Sequence, residues 1–450
     1  MQAKKTEKCL IGICTGLLFL IFLSILIVMF TRLILVKRMG IQNGFADFVL
    51  GDAFEDETDQ EQSSGSDINW EELYPFASGE ITPAIKSKTP ADILWSKTDK
   101  IKERLEFYSS RALLGYRTYV ELAERYESLV GWNFASYGEY NGVVEMPDGY
   151  LTEYVEKRDV TEHANALIGL DRFCKENGCE FLYIQAPSKV CKYDDKQISG
   201  SSDFSNQNAD EMIKTIEESG VDVLDLRDAI HDAGFSHHKV FYRTDHHWLP
   251  ATGLWAARKT LEYCNENYGF NADVSRLDSD QFDQKIYKDW FLGSRGKKVT
   301  LSRTEPDDFE VLYPKYETKL HFTAPAAHVD SFGDYSIIYN MEDIAEKDLY
   351  GKNPYRGYNY GDQPVIQINN LADTDGKKIL IIDDSFGNCV ISCLALCESE
   401  VDSLDLRHFT GSLENYIRTF DPDIVVVLYN AENIGRTVDR TTHTDMFDFR

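Results

Sequence analysis

KILIIDDSFGN, residues 378–388, decides the fold. Ile379 to Ile382 form an unbroken apolar run, too short for a buried helix but right for a strand covered on both faces. Two aspartates, a serine, a phenylalanine and a glycine follow, and from Asn388 to about Glu398 the spacing predicts a helix. Ser385 is therefore expected at the carboxyl end of a buried strand and near a helix N-terminus. Backbone N–H groups point outward there and can stabilise an oxyanion. The plainer alternative is that Ser385 only caps the helix.

The stretches on either side extend the pattern. EFLYIQAP (180–187), VDVLDL (221–226), SLDLRH (403–408) and DIVVVLY (423–429) read as further buried strands. Helical spacing covers 162–176, stopping at Asn177-Gly178, then 209–219, stopping at Gly220, and 412–419. A longer helix, 250–268, opens with Pro250 in a favoured first-turn position and repeats Leu254, Ala257, Leu261 and Cys264 on one face. Apolar strands alternating with helices predict an α/β fold whose sheet is mainly parallel and covered on both faces. Ligands of such sheets bind beyond the carboxyl ends of the strands. Residues 275–375, rich in Tyr, Asp, Gly and Pro, read as irregular strands and loops inserted into this fold. NGVVEMPDGYLTE (141–153) reads as a hairpin turning at Pro-Asp-Gly.

A second polar motif, YRTDHHWLP (242–250), precedes the long helix. A serine hydroxyl needs a base, and the base needs a group that fixes its tautomer. Asp245 and His247 are two apart, so in an extended segment both side chains leave one face, whereas His246 diverges. His247 is thus the expected base and Asp245 its orienting partner. The competing reading is a buried structural knot, or a metal site using both histidines.

Composition narrows the classes. The chain has 450 residues and a formal charge of −28, or −33 once residues 1–38 are set aside. Such a field repels phosphate backbones and excludes nucleic-acid binding. Cys9–Phe30 carries no charge and is nearly all apolar, with Leu33–Val36 extending it; no A-x-A cleavage site follows, which predicts an uncleaved transmembrane signal anchor over 9–36 behind a short cytoplasmic tail, 1–8. Lys4, Lys5 and Lys8 before the span balance Arg32, Lys37 and Arg38 after it, so charge alone sets no strong orientation. Residues 39–85 hold eleven acidic residues and no Lys or Arg, so 39–90 is expected to be a solvated tether. A helical and hairpin lead-in, 95–155, then leads to the main domain, 160–450. Cys389, Cys393 and Cys397 share one helix face, where small apolar packing is the simpler reading than a metal site. Cys174 and Cys179 are spaced to pair across a turn.

Taken together and in order, DHHW (245–248), then DSFG (384–387), resemble the DHHW protein family, which is related to the SGNH hydrolase-like domains of alginate O-acetylation proteins. Ala-Pro-Ser-Lys (186–189) is similar to that family's Pro-x-Lys segment, and the 141–153 hairpin to the stretch ahead of its domain. The resemblance runs from about residue 100 to the C-terminus. It implies an SGNH-like three-layer domain with circularly permuted motif order. Ser385 matches the nucleophile, Asp245 and His247 the D-x-H pair, and Trp248 the following aromatic, with Thr244 placed to help hold the aspartate. It further implies an extracytoplasmic, membrane-anchored O-acyltransferase or esterase. That enzyme acts on a cell-surface polysaccharide, most simply by O-acetylation, with a membrane-bound O-acyltransferase as acyl donor and no metal or cofactor. The alternative is a non-catalytic glycan-binding or assembly partner of such an acyltransferase. Two departures stand out: Asp-Asp-Ser replaces the usual Gly-Asp-Ser, and no Gly-x-Asn-Asp block is present. Oxyanion and substrate candidates are therefore the Ser385 N–H, Gly357 and Gly361 in YRGYNYGD (355–362), Asn430 in YNAEN (429–433), and Trp248.

Overall fold

The computed structural model of the protein describes residues 142–193 apart from Pro147, residues 202–436 and residues 445–450, with Leu122, Arg125 and Tyr126 helical before them. The expected membrane span, tether and leading helix lie outside the described residues. Among the described residues no helix is long and apolar enough to cross a membrane.

In chain order, β1 (Val143–Glu145) and β2 (Leu151–Glu153) form the expected antiparallel hairpin. Next come α1 (Thr161–Glu176), β3 (Glu180–Ala186), α2 (Ser205–Glu218), β4 (Val223–Asp225), α3 (Leu226–Asp232) and α4 (Pro250–Tyr268). The middle third holds β5 (Phe282–Phe291), α5 (Ser294–Val299), β6 (Asp307–Pro314), β7 (Leu320–Ala324), β8 (Val329–Gly333), α6 (Met341–Ile344) and β9 (Val365–Asn370). The chain closes with β10 (Lys378–Asp383), α7 (Ile391–Leu394), β11 (Glu400–Leu404), α8 (Leu413–Phe420) and β12 (Ile424–Asn430).

Eight strands make the central sheet, in the order β4-β3-β12-β10-β11-β9-β7-β8. It has three layers. Ile379 and Ile381 of β10 face one way, onto Leu254, Ala257, Leu261 and Cys264 of α4. Leu380 and Ile382 face the other way, with Leu167 and Leu170 of α1, Met212 and Ile216 of α2, and Tyr416 and Ile417 of α8. Both faces being covered explains why these strands are apolar throughout; each such side chain contributes about 1.5–3 kcal/mol on burial.

The sheet is mixed, which corrects the expectation of a mainly parallel one. Pairings from β4 to β11 are parallel, but β11–β9, β9–β7 and β7–β8 are antiparallel. The cause is connection length. A connection between parallel strands needs a crossover of a dozen residues or more, and the short link 371–377 instead carries the chain past β11, from the end of β9 to the start of β10 at the same end of the sheet, so the two run in opposite directions. Residues 275–375 are thus only partly an insertion: β7, β8 and β9 belong to the central sheet, while β5 and β6 form a separate two-stranded ribbon. A second correction concerns 388–398. In place of one helix there is a 3-10 turn, Ser385–Cys389, followed by the single-turn α7. Gly387 lies so close to Asp383 that an added Cβ would collide with its carboxylate, and the tight turn is what permits that approach.

Asp402 on β11 is buried between the sheet and α8, where Gln367 and Tyr416 donate to one carboxylate oxygen and the other has no partner. Burial pushes its carboxyl up to about 7. A carboxyl raised in the folded state stabilises fully below its unfolded value and loses that contribution as pH rises toward 7. Asp402→Asn removes the titration. Its melting temperature relative to the unaltered protein is therefore expected to rise from about pH 4 to about pH 7 and to level off above, measured by thermal denaturation.

Candidate functional site

Strand register sets the site. Within the parallel trio, Ile382 of β10 pairs with Leu404 of β11, and Asp383 with Leu428 of β12. Continued past the strand ends, this register puts Ser385 level with Arg407 on one side and Asn430 on the other. Asp384 locks the turn in place: its carboxylate accepts from the N–H of Phe386 (3.0 Å), the N–H of Asn430 (2.9 Å) and Asn433 Nδ2 (2.8 Å). Asp383, the residue that replaces glycine before the Asp-Ser pair, accepts from Ser403 Oγ at 2.7 Å, and burial pushes its carboxyl far up.

The DHHW segment is a closed loop rather than an extended one. Tyr242 N–H donates to His247 O and Leu249 N–H to Val240 O, with a bridge between Phe241 and Trp248. Asp245 and His247 still meet, but through an Asx turn: Asp245 Oδ1 accepts from the backbone N–H of His247 at 3.0 Å and from its Nδ1 at 2.5 Å. His247 Nε2 lies 2.6 Å from Ser385 Oγ. Serine, imidazole and carboxylate, far apart in the chain, are thus joined in one hydrogen-bonded line. Burial would raise the Asp245 carboxyl, yet His246, His247 and the bonds from His247 hold it well below the usual range. It stays charged, as an orienting group must.

Ser294, Asp307 and Tyr355, not anticipated from the sequence, complete the setting together with Thr244, Lys189 and Trp248 of the motifs. Ser294 N–H donates to Asp245 Oδ2 at 2.7 Å. Asp307 accepts from Arg243 N–H, Thr244 N–H and Thr244 Oγ1, and Thr244 Oγ1 in turn accepts from Gly293 N–H. Thr244 therefore fixes the loop rather than the aspartate itself. Lys189 of the Pro-x-Lys segment is fully buried and donates to Leu151 O (2.7 Å) and Arg243 O (2.9 Å), tying the β1–β2 hairpin to the loop. Burial, reinforced by Arg295, lowers its ammonium to about 7. Tyr355 stacks on His247 with centroids 3.9 Å apart, and its hydroxyl donates to Ser385 O. Trp248 is buried, its Nε1 donating to Phe386 O at 3.1 Å, so it braces the serine turn instead of facing solvent.

The oxyanion candidates separate. Ser385 N–H has no acceptor among the described residues. Asn430 spends its backbone N–H on Asp384 and its Oδ1 on the N–H of Glu432, leaving Nδ2 as its available donor. Gly361 N–H is committed to Tyr358 O, and Gly357 packs against Ile344. Cys389, Cys393 and Cys397 lie in the apolar core, and Cys174 and Cys179 are buried thiols, the second donating to Cys174 O. Among the described residues two groups could hold a cation by proximity: Asp245, His246 and His247, and Asp362, Asp405 and His408. In the first, Asp245 and His247 are engaged with each other, and in the second the Arg407 guanidinium already binds both carboxylates.

Fold and site together define an SGNH hydrolase-like α/β domain. Residues 228–401, which span Asp245, His247 and Ser385, match the model of the DHHW protein family, and residues 147–284 match that of the SGNH hydrolase-like domain of the acetyltransferase AlgX. The structure of Bacillus cereus PatB1 with a sulfonyl adduct is similar over 68% of this chain and 98% of that one, with a TM-score of 0.56 and 19% identity. A DHHW family protein from Eubacterium siraeum is similar over 67% and 94%, with a TM-score of 0.51 and 18% identity. No curated protein matches the chain in sequence.

Gly293 touches Asp245 so closely that a Cβ there would lie 2.2 Å from the Asp245 Cβ. Gly293→Ala is expected to cost about 1–3 kcal/mol by overpacking, read from urea denaturation.

Proposed function

We propose that the protein is a serine-dependent O-acyltransferase or esterase that carries an acyl group, most simply acetyl, on Ser385. The observation that carries this reading is the continuous line Ser385 Oγ, His247 Nε2, His247 Nδ1, Asp245 Oδ1 at 2.6 and 2.5 Å. His247 takes the Ser385 proton as Oγ attacks the acyl carbonyl of an ester donor. The tetrahedral oxyanion is met by the Ser385 N–H and Asn430 Nδ2. The intermediate collapses as the leaving alcohol accepts the proton from His247, leaving an acyl-serine. An incoming hydroxyl then repeats the steps in reverse. Tyr355 holds the imidazole plane, and the buried Asp245 charge stabilises the imidazolium.

The match of residues 147–284 to the SGNH hydrolase-like domain of the acetyltransferase AlgX supports acyl chemistry of this kind. The acceptor in this reading is a cell-surface polysaccharide, and the donor group is delivered by a membrane-bound O-acyltransferase. Residues 9–36 anchor the chain, with the main domain outside the cytoplasm.

Incubation of the full-length protein with 4-nitrophenyl acetate is expected to release nitrophenol and leave an acetyl adduct visible by intact mass. Ser385→Ala should abolish the adduct and reduce turnover at least a hundredfold, and a sulfonyl fluoride should label Ser385 in the unaltered protein alone. Equal silence of protein and variant on several acyl esters would favour a non-catalytic glycan-binding role.

A further inference from the structure

Beside Ser385, on the β11 side, lies a polar pair that the acylation steps leave unused. Asp405 Oδ1 and Oδ2 accept from the Arg407 backbone N–H, Nε and Nη2, and Asp362 Oδ2 accepts from Nη2 at 2.8 Å. Arg407 Nη1 makes no hydrogen bond within the described residues, and the side chain remains 28% exposed. Burial alone would lower the guanidinium, but Asp405 and Asp362 hold it charged. It is thus a rigid cation with one free edge.

Asp362 is equally fixed. Asn388, three residues beyond Ser385 in the same turn, donates to its Oδ1 at 2.8 Å, and Asn388 O accepts from Asn359 Nδ2. The carboxylate is 30% exposed. Among the influences that lower it against burial, after Arg407 and Asn388, is His247, so it lies within electrostatic range of the base. The backbone that delivers it is strained: Asn359, Tyr360 and Gly361 take φ of 50, 62 and 78° in succession. Left-handed runs of this kind persist where the surroundings enforce them. A fixed carboxylate next to a free guanidinium edge, both partly exposed and joined through Asn388 to the turn that carries Ser385, offers an acceptor beside a donor. Adjacent hydroxyls of a sugar ring present the complementary pair.

Charge completes the argument. The groups around the Ser385 turn include the carboxylates of Asp245, Asp362, Asp405 and Glu432 against Lys189, Arg295 and Arg407, and the whole chain carries −28. A uronate would bring a like charge into this rim, within the ~8 Å over which charges act at physiological salt.

We propose that Asp362 and Arg407 form the acceptor subsite and select an uncharged, polyhydroxylated sugar over a uronic acid. This rests on the acyl-serine reading above. In the transfer step the sugar O–H bonded to Asp362 lies beside His247. His247 takes its proton, the sugar oxygen bonds to the acyl carbon, the bond to Ser385 Oγ breaks, and the serine recovers the proton.

The test uses the full-length protein with 4-nitrophenyl acetate as donor and either a neutral β-1,4-linked glucose oligomer or an oligogalacturonate as acceptor. Acetylated acceptor and free acetate are both quantified by mass spectrometry. The unaltered protein should transfer to the neutral oligomer at least tenfold more readily than to the uronate, with the gap narrowing as salt is raised. Asp362→Asn and Arg407→Lys should lower the ratio of transfer to hydrolysis at least tenfold through acceptor KM. If an acetyl-serine forms but the uronate is preferred, or neither acceptor is used, the acceptor assignment is overturned while acyl-serine chemistry stands. The acceptor ranking decides even where a variant fails to fold. Absence of any acetyl-serine overturns both.

Discussion

A single buried charge organises much of this structure. The Asp245 carboxylate is 1% exposed, and an ion taken out of water survives only when its oxygens are bonded. Here the backbone and imidazole of His247 serve one oxygen and the Ser294 N–H the other. Loss of one partner from such an arrangement costs about 3–5 kcal/mol, so the demand is strong enough to dictate chain path. It requires Gly293 where no Cβ fits, and it requires the β5–α5 corner to return to the DHHW loop. Asp307 and Lys189 hold that loop from its other side. The middle third of the chain, which looks like an elaboration on the sheet, closes over the carboxylate through Gly293 and the Ser294 N–H, while His246 and His247 of the loop itself keep it ionised.

A second constraint acts at the serine. Asp384 joins the turn after β10 to the end of β12, and Trp248 joins the same turn to the DHHW loop. Strand register and these two bonds fix Ser385 Oγ relative to His247 without any contribution from the surface. Asp362, Asp405 and Arg407 lie beside this turn, joined to it through Asn388.

The parts legible in sequence were those with local signals. Ile379 to Ile382 declared a strand buried on both faces, and Asp245, His247 and Ser385 stood in short motifs that the structure brings into hydrogen-bonding contact. The two-apart spacing of Asp245 and His247 led to the right pair by the wrong geometry, since an Asx turn brings them together where an extended segment was expected. Tyr355, Asp307, Asp362 and Arg407 were illegible because their places depend on packing between distant segments; a tyrosine in an aromatic-rich stretch carries no mark that it will stack on an imidazole. The antiparallel half of the sheet did leave a trace. Leu320, Phe322 and Ala324 alternate with more exposed neighbours, as do Ile366 and Ile368. That two-residue period was masked by the surrounding Tyr, Asp and Gly.

The bond between His247 and Ser385 spans 138 positions of sequence, as does that between Trp248 and Phe386. Contacts of such separation form only after a large loop has closed, and they rank among the slow events of folding. Between the two motifs lie the ribbon, the β7–β8 hairpin and β9, all within the loop that the contact between Ser385 and His247 closes. In the acyl-serine reading proposed above, Ser385 is therefore unarmed in a partly folded chain, and its reactivity would report completion of the whole body rather than of any one element.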